Sequence, residues 1–331
     1  MKNDSRRAVA LIYGGRGAEA PISVLSAEYV LPLIDRKSYL PLAVFITPEG
    51  QWLYNGRQVC PAYMDGVSGL MSRSGMIPVD CALPLLHGDF GEDGVVQGAL
   101  KNAKIPFVGS DVCASAVTSD KAITKAVAQS LEIPTLPYTL VGSEADLSAK
   151  RLPPFPLFVK PTSLGSSIGA AVARDFKELT LAVRKALSLC PRVMIEPYLE
   201  GVREIECGYF SSGDLSVLTE CGEIVTHGGF YDYDSKYRGA GDVKISLCAH
   251  VPENISGRVR QYSKMLIDAI GITDLCRVDF FLSGESLYFN EINSIPGFTS
   301  ASLYPRMLSA AGIPPALLLD RLIDKAIGRE G

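Results

Sequence analysis

Leu157-Phe-Val-Lys-Pro-Thr-Ser-Leu-Gly-Ser-Ser-Ile-Gly169 is the stretch that divides the chain into unlike parts. Leu157–Lys160 reads as a short strand ending in a lysine, and Pro161–Gly169 as a flexible loop of serines and glycines. Glycines let several backbone N–H groups turn toward one point and serine hydroxyls add donors, so with Lys160 the loop has the means to cradle a phosphate. It is not a Walker A loop, because no Gly-Lys-Ser/Thr follows the glycines. A surface hairpin with a solvated lysine reads the same way, and the stretch alone does not choose between them. Strand signals at Ala170–Ala173 and Arg192–Glu196, around a helix at Asp175–Leu189, make this an antiparallel block.

Upstream the pattern changes. Ala8–Tyr13 is a short apolar strand running into Gly14-Gly15, a helical stretch follows over 21–34, and further strands read at Leu40–Ile46 and Cys81–Leu86. The loop His87–Gly94 then leads into a helix ending near Asn102. This order, with glycines at strand ends, predicts a doubly wound parallel sheet, and such sheets gather ligands at the carboxyl ends of their strands. Gly50–Val79 carries no clear periodicity and receives no assignment. Ser119–Leu131 reads as an amphipathic helix capped by Ser119 or Asp120. Downstream, strands at Glu204–Phe210, Leu215–Glu220, Leu275–Leu282 and Leu287–Ile292, with helices at Ile255–Ile270 and Pro314–Ile327, form a strand-rich block. The expected division is an α/β N-terminal domain over 1–115, a central α+β domain with a mobile phosphate loop over 116–205, and a C-terminal α+β domain over 206–331.

Composition agrees with two or three globular domains: 331 residues, 47% hydrophobic and 21% charged, against a usual domain size of roughly 100–200 residues. A net charge of −4 without a dense Lys/Arg run excludes the electrostatic footprint of a nucleic-acid binder. The eight cysteines include no C-x-x-C pair and read as buried, reduced thiols. Arg6-Arg7 before Ala8–Tyr13 resembles a signal peptide only faintly, since the apolar run is too short and ends in Gly14-Gly15. No apolar stretch approaches the ~20 residues that span a bilayer. These features predict a cytoplasmic enzyme with no membrane partner.

Two pairs of residues concentrate the chemistry. Arg277-Val-Asp279 and Glu291-Ile-Asn293 both have an i, i+2 spacing, which on a strand puts both side chains on one face. If the two strands pair, Arg277, Asp279, Glu291 and Asn293 share that face. Two carboxylates and an amide oxygen suit Mg²⁺ bound to nucleotide phosphates, and the arginine suits a transferred phosphoryl group or a developing oxyanion. One such pair alone reads as an ordinary salt bridge; the two together favour the metal. The loop His87-Gly-Asp-Phe-Gly-Glu-Asp-Gly94 suits a substrate edge, although Glu92 and Asp93 also read as acids at a helix start. Nothing supports a His-based triad, the other histidines being His227 and His250.

Taken in order, Gly14-Gly15…Glu19…Ser23, His87-Gly…Gly91-Glu-Asp-Gly94, Lys160-Pro…Gly165-Ser-Ser, Tyr231-Asp-Tyr…Lys236-Tyr237 and Asn290-Glu-Ile-Asn…Pro296-Gly resemble the D-alanine–D-alanine ligases of the ATP-grasp superfamily. The likeness covers roughly residues 8 to 325. It implies an ATP-grasp fold and a two-step ligation: ATP phosphorylates the carboxylate of one D-alanine, and the amine of a second attacks the acyl phosphate. It implies that Glu19 holds the first substrate's ammonium beside His87, and that Lys121 and Lys160, with Ser166 and Ser167, bind phosphates. Glu196 and Leu199 match the adenine-edge residues and Glu204 the ribose acid. Ser166 and Tyr237 match a pair that links to Glu19 and closes the site, with Lys236 next to the tyrosine. Arg277 and the Gly297 N–H match the oxyanion pair, Asp279, Glu291 and Asn293 the ligands of Mg²⁺ (or Mn²⁺), and Ser302 with Leu303 the site of the second carboxylate. The resemblance also implies a homodimer.

The chain departs from the family pattern at Ala20-Pro21, where a basic or polar residue and an acid are usual, at Leu275-Cys276, and at Ala301. Pro21 suits a first helical turn. These departures surround the substrate pockets more than the ATP site. A D-alanine–D-serine ligase is the nearest rival reading, and D-lactate is disfavoured by Tyr237 in an intact Tyr231–Tyr237 loop. A non-catalytic ATP-binding relative should have lost a metal ligand or a phosphate lysine, yet all remain. A nicotinamide dehydrogenase rests only on Gly14-Gly15-Arg16-Gly17, without a full G-x-G-x-x-G.

Overall fold

The computed structural model describes residues 5–226, 243–247 and 249–329. The chain opens with β1 (Arg7–Gly14), α1 (Ala20–Val30), β2 (Tyr39–Ile46), β3 (Trp52–Tyr54), β4 (Arg57–Met64), β5 (Val67–Ser72), β6 (Gly75–Pro78) and β7 (Cys81–Pro84). β1 runs parallel to both β2 and β7, as the apolar runs predict, and its Ala10, Leu11 and Ile12 are buried. Gly14 and His87 therefore emerge at the same carboxyl edge. The stretch left unassigned is an antiparallel meander that extends this sheet to the order β6-β5-β4-β3-β2-β1-β7. Its hairpins turn at Asn55-Gly56 and Asp65-Gly66, where all four residues have positive φ, the conformation that two-residue turns between twisted strands require. Pro21 lies in the first turn of α1, where its missing N–H breaks no helical bond.

Next come α2 (Val95–Asn102), α3 (Val112–Ser119) and α4 (Lys121–Ser130). Asp120 caps α4 by accepting from the N–H groups of Ala122 and Ile123. β8 (Thr139–Val141), α5 (Asp146–Ala149), β9 (Leu157–Pro161), β10 (Ala171–Ala173), α6 (Phe176–Leu187) and β11 (Val193–Pro197) follow. The antiparallel block forms a sheet in the order β10-β9-β11-β8, on which α6 packs Leu179, Val183 and Ala186.

β12 (Arg203–Ser212), β13 (Leu215–Leu218), β14 (Gly222–Thr226), β15 (Val243–Ser246), α7 (Glu253–Ile270), β16 (Leu275–Ser283), β17 (Ser286–Asn293), α8 (Leu303–Ala310) and α9 (Pro315–Ile327) complete the described elements. The third sheet is antiparallel, β15-β14-β12-β16-β17, with β13 on β12. Residues of α3 and α4 (Ala114, Ala128) share its core with Val259 and Leu266 of α7. α9 reaches back: Leu318, Leu322 and Ile323 bury against Val9, Leu11 and Leu83 of the first sheet, and Tyr39 donates to Asp324 at 2.6 Å. Asp274, fully buried, accepts from the Gly109 N–H at 2.7 Å and pairs with Lys325 at 3.0 Å and with Arg329. Among the described residues no helix is long and apolar enough to cross a membrane. Cys60 and Cys113 are exposed, against the expectation of uniformly buried thiols, because Cys60 points from a solvated face of β4 and Cys113 lies in the first turn of α3.

Candidate active site

The three sheets meet at a cleft of about 720 Å³. Its floor is the β16–β17 pair. Arg277 stands opposite Asn293 and Asp279 opposite Glu291, and all four line the cleft, so the two i, i+2 spacings do converge. Arg277 grips Asp279 through two hydrogen bonds, 2.7 Å from Nε to Oδ1 and 2.6 Å from Nη2 to Oδ2. Asn293 Nδ2 donates to the same Oδ2 at 3.0 Å. Glu206 on β12 lies beside Asp279 in register, its Oε2 3.1 Å from Arg277 Nε. Burial opposes the guanidinium's charge, but Asp279 and Glu206 outweigh it and hold Arg277 firmly protonated.

The loop between β9 and β10 forms one wall. Ser166 and Ser167 both adopt positive φ, a conformation that costs a non-glycine residue about 1 kcal/mol or more and so marks a loop shaped for a task. Ser166 Oγ donates to Glu19 Oε1, tying the loop to the end of the first sheet. Gly165 passes so close that a β-carbon there would lie 2.8 Å from Glu19 Oε2. Lys121 Nζ donates to Leu164 O at 2.8 Å and lies 3.1 Å from Glu291 Oε2. Burial works against its charge, yet Glu291 more than offsets this and Lys121 is raised. Lys160, nearly buried, reaches Glu196 Oε2 at 2.8 Å and Asn290 Oδ1 at 3.0 Å.

At the other end stand Glu19 and His87, with Ser26 Oγ 3.2 Å from His87 Nε2. Burial, with Arg277 nearby, lowers His87 to about 4, so the ring is neutral. Gly297, Ser302 and Leu303 line the same cleft, where Ser302 precedes the first turn of α8 and accepts from the Thr299 N–H at 3.0 Å. Glu204 and the apolar Phe158, Ile224 and Phe281 line the side toward β12 and β9. Glu196 does not reach the cleft: it is buried behind Lys160. Leu199 is half-buried and outside the lining. Lys236 and Tyr237 lie outside the described residues.

The sequence reading missed several participants. Glu92 is not a helix-start acid, because α2 begins at Val95 and Asp93 accepts the Phe90 and Val95 N–H groups instead. Glu92 accepts from Gly88 N at 2.8 Å and Ile295 N at 3.2 Å, and burial, with Glu19 close by, raises it to about 8. Lys125 and Glu206 were also overlooked, and Asn290, though part of the quoted Asn290-Glu-Ile-Asn motif, was given no role. Asn290 and Glu206 had a signal, each lying on a strand two residues or fewer from a residue already singled out.

Asp279, Glu291 and Asn293 bring hard oxygen donors to one surface of the cleft, with Arg277 and Lys121 as the countercharges of the two carboxylates. Among the described residues no three His, Cys, Asp or Glu side chains form a metal-holding group; two carboxylates and an amide oxygen are the donor types that would suit a hard divalent ion whose shell phosphate oxygens complete.

Family descriptions of the D-ala D-ala ligase N-terminus and C-terminus match residues 8–110 and 127–324. The D-alanine–D-alanine ligase of Chlorobium chlorochromatii is 36% identical over 98% of both chains. The D-alanine–D-alanine ligase structure from Coxiella burnetii superposes with a TM-score of 0.85 at 29% identity, covering 98% of this chain and 95% of that one. The VanG D-Ala:D-Ser ligase from Enterococcus faecalis gives the same TM-score and identity over 97% and 99%. The chain belongs to the D-alanine–D-alanine ligase family.

Proposed function

We propose that the cleft joins two D-alanines with ATP, through an acyl phosphate, for peptidoglycan precursors. A carboxylate is a poor electrophile, and phosphorylation supplies both a leaving group and relief from its negative charge. Lys121, Lys160, Ser166 and Ser167 bind the phosphates and Glu204 the ribose, whereas the adenine-edge role expected of Glu196 and Leu199 is not carried over, since neither lines the cleft. Asp279, Glu291 and Asn293 hold Mg²⁺, which when bound neutralises phosphate charge and polarises the transferred group. Glu19, beside neutral His87, holds the ammonium of the first D-alanine. Arg277 and the Gly297 N–H stabilise the oxyanion of the tetrahedral intermediate, and Ser302 with Leu303 receives the second carboxylate. The family likeness gives Tyr237, with Ser166, the part of keeping out water, which would hydrolyse the acyl phosphate, and sets Lys236 next to it in sequence.

The observation that supports this best is the Ser166–Glu19 hydrogen bond, which joins the serine-glycine loop to a carboxylate of the first sheet within one cleft. The second substrate is D-alanine rather than D-serine, on the strength of the 36% identical relative. Purified protein with ATP, Mg²⁺ and equal D-alanine and D-serine should yield mainly D-alanyl-D-alanine by mass analysis. Preferential mixed dipeptide would refute the second substrate, and absence of D-alanine-dependent phosphate release would refute the ligase. The family likeness also favours a cytoplasmic homodimer, which sedimentation of the purified protein would test.

A further inference from the structure

Behind the nucleotide wall lies a buried lysine that the reaction scheme does not use. Lys121 and Lys125 stand one turn apart on α4. Lys121 faces the cleft, whereas Lys125 is fully buried, and its ammonium donates to Glu196 Oε1. The other oxygen of Glu196 is 2.8 Å from Lys160 Nζ. One buried carboxylate is thus shared by two lysines, and only Lys160 reaches the cleft. The Tyr138 ring lies 5.9 Å from the Lys125 ammonium.

Charge balance gives this arrangement its meaning. Lys160 and Glu196 alone would neutralise each other and offer a phosphate little more than a dipole. With Lys125 the set holds two positive charges and one negative, so a net positive charge remains and is presented by Lys160. The shared contact also fixes the Glu196 carboxylate from behind, and Lys160 with it. A buried ammonium is expensive to keep unless it is paired, which argues against Lys125 as idle filling.

We propose that Lys125 is a positioning residue of the nucleotide site, fixing Glu196 and leaving Lys160 with unneutralised charge for the phosphates of ATP. This rests on the reading of Lys160 as a phosphate ligand. Burial lowers Lys125 to about 8 against the pull of Glu196, with Lys160 adding to the lowering. The charged or titratable groups facing it are Glu196 of β11, Lys160 of β9, Glu291 of β17 and Tyr138 before β8. The surplus charge is therefore present below about pH 8 and lost above it.

The test measures kcat and KM for ATP and for D-alanine, with melting temperature, in the wild type, Lys125→Met, Lys125→Arg and Lys160→Met from pH 7 to pH 9.5. Lys125→Met should raise the KM for ATP about tenfold with kcat and the KM for D-alanine changed less than about threefold. Lys125→Arg keeps the charge and should bring the KM for ATP back to within about threefold of wild type. In the wild type kcat/KM for ATP should decline above about pH 8 more steeply than in Lys125→Arg, whose guanidinium does not titrate there. A filler role would move the melting temperature and leave these alkaline profiles parallel. The proposal is overturned by a folded Lys125→Met with an unchanged KM for ATP, or, should that variant not fold, by parallel profiles for wild type and Lys125→Arg. An unchanged KM for ATP in Lys160→Met would instead overturn the reading of Lys160 itself.

Discussion

Gly165→Ala would press a methyl group against Glu19, with its carbon 2.8 Å and 2.9 Å from the two carboxylate oxygens, where ordinary contact begins at 3.4 Å. Either Glu19 or the loop must therefore retreat by about half an ångström, the difference between those contacts. Gly165 has no positive φ, so alanine adds no backbone strain and the effect isolates the contact. Glu19 is nearly buried and held by Ser166, which leaves it little room to yield without dragging the loop. Misplacing a reacting group by 1 Å costs about 10²-fold, so half that shift predicts a loss of about 10-fold or somewhat more in kcat/KM for D-alanine, about 1.4 kcal/mol of transition-state stabilisation. Lys121 is held by Leu164 O and Glu291, and Lys160 by Glu196 and Asn290, so the KM for ATP should stay near the wild-type value. ADP release measured against D-alanine at saturating ATP reads the first quantity, and the reverse titration reads the second. A variant with kcat/KM for D-alanine within twofold of wild type would refute the close-contact argument, and a loss appearing only in the KM for ATP would refute the role of Glu19.

Glu291→Gln removes a metal carboxylate and leaves Lys121 without its 3.1 Å partner, so turnover should be abolished while the fold persists; near-normal phosphate release would defeat the metal assignment. Asp274→Asn keeps a residue type that tolerates the φ of 65° but strips the countercharge from Lys325 and Arg329. Both cations are about one-third or less exposed, so a destabilisation of about 2 kcal/mol is expected, read as a lower midpoint in urea, and an unchanged midpoint would contradict the clamp. His87 is lowered from 6.5 to about 4, so between those values the unfolded chain binds a proton that the folded one does not. Its contribution to stability is intact above pH 6.5 and is lost as the pH falls toward 4. Denaturation across that range should show a shallower acid loss for His87→Gln than for wild type; parallel curves would count against it.

How much of this was legible depended on whether a residue's role follows from its own strand or from a neighbour distant in sequence. The spacing of Arg277, Asp279, Glu291 and Asn293 carried its geometry within two short segments, and once β16 and β17 pair, the rest follows. The parallel strands β1 and β7 announced themselves as apolar runs because both their faces are covered, and β2 did so although its second face is only half-buried. The meander over 52–78 did not, since its strands are half-exposed and β4 mixes Arg57, Gln58 and Pro61 with apolar residues. Its turn dipeptides Asn55-Gly56 and Asp65-Gly66 were nonetheless there to be read. α3 was missed because Val-Cys-Ala-Ser-Ala-Val-Thr-Ser offers little contrast between faces. Lys125 and Glu92 were invisible for a different reason. A lysine on an amphipathic helix and an acid before one look solvated until the partners, Glu196 and the Ile295 N–H, arrive from residues 71 and 203 positions away.

The return of α9 onto the first sheet bears on how the protein is made. A ribosome delivers β1, β2 and β7 long before Leu318, Leu322 and Ile323 exist to cover Val9, Leu11 and Leu83. During that interval the nascent chain holds an oily surface that nothing downstream has yet sealed, and it is then that chaperones, or aggregation, have their opportunity.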